Sequence, residues 1–514
     1  MWRDEYREEL LKKRETAKAG GGKKRLEKQH EKGKLSARER LDILFDSGTF
    51  VEVDGLIESR IDDFHMAEKR VPGDGVVTGY GRINGRLAFA YSEDFTVIGG
   101  TLGEYHSLKI CRIMERALEM RVPLIAINDS GGARIEEGVS SLNGYSGMFL
   151  RNTRASGVIP QIAVIMGPCA GGACYSPAIC DFIFMTENTS RMFITGPGVV
   201  KEVIGEDVSS FELGSAKIHM ERSGVAHFVF KDDSSCLKGV RKLLSYLPIN
   251  NKEKAPETGS SYIDTTDILQ EIVPEEQRKV YDIRKVIDAV MDTASFLEIQ
   301  EDYAANLVVG FARLEGKVLG IVANQPFVLG GALDGNASEK GARFIRFCDA
   351  FNIPILTLVD VPGFFPGTKQ EHSGIIRKGA KILYAYSEAT VPKVSLIMRK
   401  AYGGAYIAMN SKSMGADMVY AWPIAQIAVM GAEGAADIIY KREIENAQDR
   451  EKVREEFIER YRNNFMNPYV AASRGYIDEV ILPEETRKKL IDAFDMCQTK
   501  SKYSVEKKHG NIPL

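Results

Sequence analysis

Two Gly-Gly pairs offer the clearest chemistry in this chain: Gly171-Gly172 in PCAGGACYSPA and Gly403-Gly404 in RKAYGGAYIAM. Each follows an apolar run, IAVIMG or KVSLIM, and leads toward a helical stretch. Glycine admits positive φ and lets the main chain approach a ligand closely. The first N–H groups of a helix lack internal partners and lie at the positive end of its dipole. Two such donors aimed at one point hold an oxyanion, and losing one donor costs on the order of 2.7–4 kcal/mol of transition-state stabilisation. A ligand-free strand-to-helix turn would use the same residues, so one pair alone decides nothing. The recurrence of the pair at matching places favours function. Two more glycine turns belong to the same pattern: Ser130-Gly131-Gly132-Ala133-Arg134 after PLIAIND, and VPGFFPG, with Phe364, after PILTLVD.

Other chemistries lack their residues. No GxxxxGK[ST], HExxH, EF-hand or GxSxG pattern is present, nor a GxGxxG that follows a strand. Asp129-Ser130-Gly131-Gly132 resembles the nucleophile loop of some serine proteases, but no partner histidine can be placed. His106, His219, His227 and His372 are scattered and read as structural or exposed. Cys169, Cys174 and Cys180 cluster without any CxxC pair, so they read as reduced core thiols and no metal is expected. Oxyanion donors without an acid–base pair suit chemistry on a thioester. Loss of the α-proton gives an enolate whose oxygen needs such donors, and a cofactor can supply the base.

The elements that must position these turns follow an α/β grammar. About 45 residues of helical pattern come first, broken by AGGG at Ala19 to Gly22 and rich in Lys and Arg. They read as a solvated arm or as a lip beside an anionic ligand. VVTGYGRINGRLAFAYS is a hairpin turning at Asn84-Gly85. In LGEYHSLKICRIMERALEM, Ile110, Ile113, Met114, Ala117 and Leu118 form one apolar face. Strands, turns and helices then alternate, as α/β layers require. The polar segment Asn250–Asp267 reads as a linker, after which the grammar repeats. Asp129 precedes Gly171 by 42 positions and Asp360 precedes Gly403 by 43, which implies a tandem duplication. Two domains are expected, 1–255 and 256–514.

Composition adds exclusions. The formal net charge of −3 attracts neither nucleic acid nor an anionic membrane. No apolar run approaches the roughly 20 residues of a membrane helix. The charged start, MWRDEYREELLKKRE, has no apolar signal region, which points to the cytoplasm. Seven cysteines in 514 residues do not make a disulfide framework.

At these residues the sequence closely resembles the carboxyltransferase subunits of biotin-dependent acyl-CoA carboxylases, propionyl-CoA carboxylase β type. The matching runs are GGGKKRLEKQH, ARERLDILFDSGTF, PGDGVVTGYGRINGR, NDSGGARIEEG, GVIPQIAVIMGPCAGGACYSPA, LVDVPGFFPGTKQE, ATVPKV, RKAYGGAYIAM and MGAEGAADI, in order over nearly the whole chain. The family includes the transcarboxylase large subunit and the α subunits of sodium-pumping methylmalonyl-CoA and glutaconyl-CoA decarboxylases. The resemblance implies two crotonase-like (ClpP-like) β-β-α superhelix domains, in a homo-hexamer built as a trimer of dimers. Acyl-CoA would lie on the N-terminal domain and biotin on the C-terminal domain of a facing subunit.

By the family pattern, Gly171 and Gly172 supply the oxyanion hole for the thioester, and Gly404 and Ala405 the one for the biotin ureido oxygen. Biotin N1, freed by loss of CO2, would take the α-proton. Ser130, Gly131, Gly132, Ala133 and Arg134 resemble the loop beside CoA, although Arg134 could equally be a structural ion-pair partner. Phe364 and Gly403 fall beside biotin. Tyr175 and Ile407, just past the two turns, are the candidates for substrate specificity. At the place of Ile407 propionyl-specific relatives often carry Asp, which argues against strict propionyl-CoA specificity. His372 and Ser373 depart from the usual QEYGG, and GGAYIAMNSKSMGAD looks closer to the anaerobic decarboxylase and transcarboxylase subunits. No MKM biotinylation motif or ATP loop is present, so biotin would arrive on a biotin carboxylase or biotin carrier subunit. Membrane decarboxylase subunits are the partners in the reverse reading, and a non-catalytic CoA-binding scaffold is the rival from another class. The missing CxxC separates the chain from the split acetyl-CoA carboxylase β subunit.

Overall fold

The computed structural model describes residues 3–501 and 505–513, so Met1 and Trp2 of the charged start lie outside it. The chain divides into two compact units, Met1–Lys254 and Ala255–Leu514. Each is built on one eight-stranded sheet.

The first unit opens with helices α1 (Asp4–Ala19), α2 (Lys23–Glu31) and α3 (Ala37–Leu44). Gly20 and Gly22, at φ 52° and 88°, make the break between α1 and α2 that AGGG predicts. Ser36 and Glu39 close a reciprocal capping box on α3. A solvated arm describes α1, where only Ala17 is buried. It does not describe α2 and α3, because Gln29, Lys34 and Arg40 are buried and bonded to a buried carboxylate.

The first sheet runs β1 (Val51–Val53), β2 (Val76–Ile83), β3 (Arg86–Glu93), β4 (Leu124–Ser130), β5 (Gln161–Ala170), β6 (Phe182–Thr186) and β8 (Phe228–Phe230), with β7 (Arg191–Phe193) paired to the end of β5. β1 to β3 are antiparallel and the later pairings parallel. Asn84 and Gly85 both take positive φ, 50° and 77°, as a two-residue hairpin turn demands. Helices α4 (Glu104–Met120) and α5 (Val139–Ala155) carry the chain back between parallel strands. α4 buries Ile110, Ile113, Met114 and Ala117 in one core with Met148 of α5 and Ala163 and Ile165 of β5, while Leu118 packs at its margin.

The second unit repeats this path with β9 (Leu297–Ile299), β10 (Leu307–Leu314), β11 (Lys317–Asn324), β12 (Ile355–Val361), β13 (Lys393–Tyr402), β14 (Met418–Ala421) and β16 (Glu479–Val480), and β15 (Gln426–Ala428) pairs the end of β13. Its crossover helices are α6 (Gly335–Ala350) and α7 (Ile375–Glu388). The pairing slips at the same place in both sheets, between Asn128 and Ser130 and between Val359 and Val361. Asp129 and Asp360 therefore occupy equivalent slips. The segment after Lys254 has no helix or strand until Thr266, but it is tied down. Thr258 N–H donates to Gly316 O at 3.1 Å, and the Arg487 guanidinium lies 3.6 Å from the Tyr262 ring centre.

Candidate active site

In the first unit three glycine corners meet at the ends of β3, β4 and β5. β5 ends at Ala170, and Gly171, at φ 63°, opens a single helical turn, Gly171–Cys174. The N–H groups of its first residues have no partner within that turn. The Tyr145 ring packs beneath Gly172, where a Cβ would fall 3.1 Å from Tyr145 Cδ2. Gly132, at φ 102°, brings the loop after β4 against it, since a Cβ there would lie 2.9 Å from Ala170 O. Gly131 N–H donates to Gly99 O at 3.0 Å, which brings in a third corner, Ile98-Gly99-Gly100.

Of the loop residues expected beside CoA, Gly131 and Ala133 reach the surface, whereas Ser130 and Arg134 are fully buried. Ser130 Oγ donates to Gly100 O at 2.6 Å and accepts from Gly132 N–H at 3.2 Å. Arg134 donates to Asp74 at 2.8 Å, Glu137 at 2.7 Å and Thr101 O at 3.0 Å. Arg134 thus takes the ion-pair role: it holds the loop from behind.

The second unit reproduces the corners. β13 ends at Tyr402, Gly403 takes φ 58°, and α8 (Gly403–Ala408) begins there with Gly404 exposed and Ala405 buried. Phe364 stands where Ala133 stands in the first unit, because Leu333 bridges to Phe364 as Leu102 bridges to Ala133. Its ring backs the turn, 3.9 Å from where a Gly404 Cβ would be and 3.1 Å from a Gly379 Cβ. Tyr175 and Ile407, expected separately, prove to be equivalent positions one helical turn beyond the two glycines, each 45% exposed. The donor pairs chosen from sequence are one place out of step in this repeat. Ala173, not Gly172, is the equivalent of Ala405.

The electrostatics differ between the units. Lys34 Nζ donates to Asp129 Oδ1 at 2.7 Å, and Arg40 bridges Asp129 Oδ2 at 2.9 Å and Asp233 at 2.8 Å. Burial holds the Lys34 ammonium below its ordinary pKa despite Asp129. Asp360 instead meets Arg399 of its neighbouring strand at 3.0 Å and the Tyr281 hydroxyl at 3.0 Å, and burial raises its pKa. Beside the Ile98 corner, Arg25, Lys28, Lys32 and Lys69 line a cleft of about 380 Å3 that also touches Phe95, Thr96 and Gly99. Among the described residues no carboxylate lines it. The basic arm thus contributes Arg25, Lys28 and Lys32 to this cleft. Among the described residues no cluster of His, Cys, Asp or Glu could hold a metal, and no helix is long and apolar enough to cross a membrane.

Sequence reasoning missed the Ile98-Gly99-Gly100 corner, its twin Leu329-Gly330-Gly331, and the cations on Asp129. The corner was visible as VIGGTL and VLGGAL in matching places. Ile98 and Leu329 both sit at positive φ, 49° and 52°, a strain of roughly 1–3 kcal/mol each that both halves retain.

Comparison with known proteins decides the family. The Carboxyl transferase domain family matches residues 28–512. The chain belongs to that family. It is 57% identical over 509 residues to the propionyl-CoA carboxylase carboxyltransferase subunit of Haloferax mediterranei, covering 99% of both chains. It is 53% identical over 511 residues to methylmalonyl-CoA decarboxylase subunit alpha of Propionigenium modestum, covering 99% of this chain and 98% of the other. Among solved structures, transcarboxylase 12S with methylmalonyl-coenzyme A and methylmalonic acid bound superposes with a TM-score of 0.96 at 53% identity, covering 99% and 98%. This carboxyl transferase is an acyl-CoA carboxyltransferase of the propionyl-CoA carboxylase β type, with the two tandem crotonase-like domains expected of it.

Proposed function

We propose that the enzyme moves a carboxyl group between carboxybiotin on a separate carrier protein and the α carbon of a short-chain acyl-CoA, propionyl-CoA first and butyryl-CoA or longer next. The observation that carries this reading is the glycine turn that recurs at the end of β5 and β13, each heading a helical turn with positive φ at its first glycine. Gly171 and Gly172 hold the thioester oxygen as the enolate forms, with Ala173 N–H alongside. Gly404 and Ala405 hold the ureido oxygen of biotin. The bare Gly404 beside the half-buried Phe364 ring leaves a wall suited to a flat ring. Bound biotin supplies the carboxyl group and the base. The protein's part is to place donors where negative charge develops and to hold both reactants still.

The basic cleft takes the phosphates of CoA, and Gly131 and Ala133 run beside its chain. Residues 1–255 carry the acyl-CoA and residues 256–514 the biotin. Both units expose an apolar ridge just past their turns, Ile194, Val199, Val203 and Ile204 in one and Val429, Met430, Ile438 and Ile439 in the other. Such patches suit burial between copies, as in a hexamer built as a trimer of dimers. A biotin carboxylase or biotin carrier subunit is the further partner. All seven cysteines are free thiols, which suits a reducing compartment, and we place the enzyme in the cytoplasm. The likeness to a methylmalonyl-CoA decarboxylase α subunit favours one second reading, the same transfer run backwards with membrane subunits as partners. Which partner co-purifies separates the two.

The test is a panel of acyl-CoAs assayed with a carboxylated biotin carrier, on the wild type and on Gly172→Pro and Ala405→Pro. Each proline removes one N–H donor, and kcat is expected to fall about 10²–10³-fold with circular dichroism unchanged. Unchanged transfer in a folded variant sinks the oxyanion assignment.

A further inference from the structure

Behind the Asp129 corner lie two buried groups that the transfer reaction does not use, Glu93 at the end of β3 and His106 in α4. Glu93 is 3% exposed and His106 0%. Glu93 Oε2 accepts the Asp129 N–H at 2.9 Å, at the slip that launches the Ser130–Arg134 loop. The other carboxyl oxygen, Oε1, faces His106 Nε2 at 3.7 Å. His106 Nδ1 lies 2.8 Å from Asp74 O, and a carbonyl can only accept, so Nδ1 carries the ring proton. His106 Nε2 is left as a bare lone pair with no hydrogen-bond partner.

The second unit shows what this place requires. Asn324 is the equivalent of Glu93 at the end of β11, and its Oδ1 accepts the Asp360 N–H at 3.3 Å. A neutral acceptor does the work there. We propose that Glu93 and His106 form a one-proton pair, with the proton on the Glu93 carboxyl and turned toward His106 Nε2, and that this pair positions the Asp129–Gly132 corner for carboxyl transfer. The pair stays neutral, as a dry site favours. Burial pushes the Glu93 carboxyl up to about 8 and the His106 imidazole down to about 4, in keeping with that state.

The surroundings explain why ionisation would disturb the corner. From β4 the Asp129 carboxylate faces Glu93 and opposes its charge, while Arg40 of α3 favours it. Tyr91 and Tyr145, on β3 and α5, lie near Glu93 as neutral phenols, their protons held chiefly by burial. Around His106, Asp74 favours the imidazolium, while Arg134 and Lys109 oppose it. Glu93 is thus a positioning residue: it touches no substrate and acts through the Asp129 N–H.

The sign is set by the raised carboxyl pKa. Folded Glu93 keeps a proton that the unfolded chain loses above about 4.5, while folded His106 refuses one that the unfolded chain holds below about 6.5. The two oppose each other between those values, so the pair's contribution to stability falls as pH rises from about 6.5 to about 8 and then levels off. The catalytic consequence rests on the carboxyl-transfer reading; the proton pair itself does not. Infrared titration of the full-length wild type and of Glu93→Gln tests the pair directly. A protonated carboxyl band present at pH 7, fading near pH 8 and missing in Glu93→Gln, is the expected result. Glutamine keeps an acceptor for Asp129 and a donor for His106, so kcat at neutral pH should stay within about twofold of wild type while its alkaline fall near pH 8 disappears. Glu93→Ala removes the acceptor, and Gln in its place should rescue it. A wild type with no such band overturns the proton pair. With the band in place, an unaltered alkaline fall in Glu93→Gln, or a loss of more than about tenfold in its neutral rate, overturns the positioning role.

Discussion

Asp129 and Asp360 hold the same place in the two units, yet their charges are met in different ways. Arg399 reaches Asp360 from β13, two strands of one sheet settling the matter between them. The equivalent of Arg399 on β5 is Gly167, where a Cβ would fall 1.9 Å from Asp129 Oδ1 and 2.8 Å from Lys34 Nζ. Lacking a side chain, that position admits Lys34 and Arg40 from the opening segment. The same ion pair therefore anchors a strand end in one unit and a whole basic arm in the other. That arm brings Arg25, Lys28 and Lys32 to the Ile98 corner and so gives the first unit its basic cleft. The turns recur in both units, while one Gly-for-Arg difference changes which segment meets the buried aspartate.

The comparison can be broken by substitution. Arg399→Met strips Asp360 of its single guanidinium, along with donors to Pro274 O, Glu276 O and Lys279 O, and should destabilise by about 3–5 kcal/mol in urea unfolding. Lys34→Met should cost less, about 1–3 kcal/mol, because Arg40 and Gln29 still bond Asp129. Equal losses would end the claim that the first unit shares the load. At the equivalent positions past the glycines, Tyr175→Ala should shift kcat/KM toward longer acyl-CoAs by about tenfold and Ile407→Ala by less, since the turn assigned to the thioester is the one that sees the acyl chain at close range. The reverse ranking would reassign the turns. The smallest effect is expected from Lys28→Glu, a rise of a few-fold in KM for acyl-CoA that fades at high salt, as roughly 0.2–1 kcal/mol at an exposed charge implies. A change in kcat instead would move the CoA phosphates elsewhere.

Much of this was legible in the chain before any fold was known. Period and punctuation foretold the Asn84-Gly85 hairpin, the buried face of α4 and the apolar strands that end at Ala170 and Tyr402, because these depend on neighbours in sequence. The near-constant Asp-to-Gly spacing announced the duplication. Arg134 was the hard case: whether a guanidinium faces a ligand or an inner carboxylate is a question of burial, and Asp74 is 60 residues away. Lys34 and Arg40 read as surface charges because basic runs usually are, and only Gly167, far along the chain, makes room for them. Glu93 gave no signal in its own neighbourhood.

Local pattern and repeat thus determined the alternating layers and the glycine turns, since backbone geometry and donor placement follow from residues next to one another, while the family rested on the resemblance of whole motif runs. Tertiary structure alone decided which charges are buried, which halves of the loops face outward, and that a carboxyl in one unit stands where an amide stands in the other. Those depend on desolvation and on partners from distant segments, and spacing along a chain does not encode either.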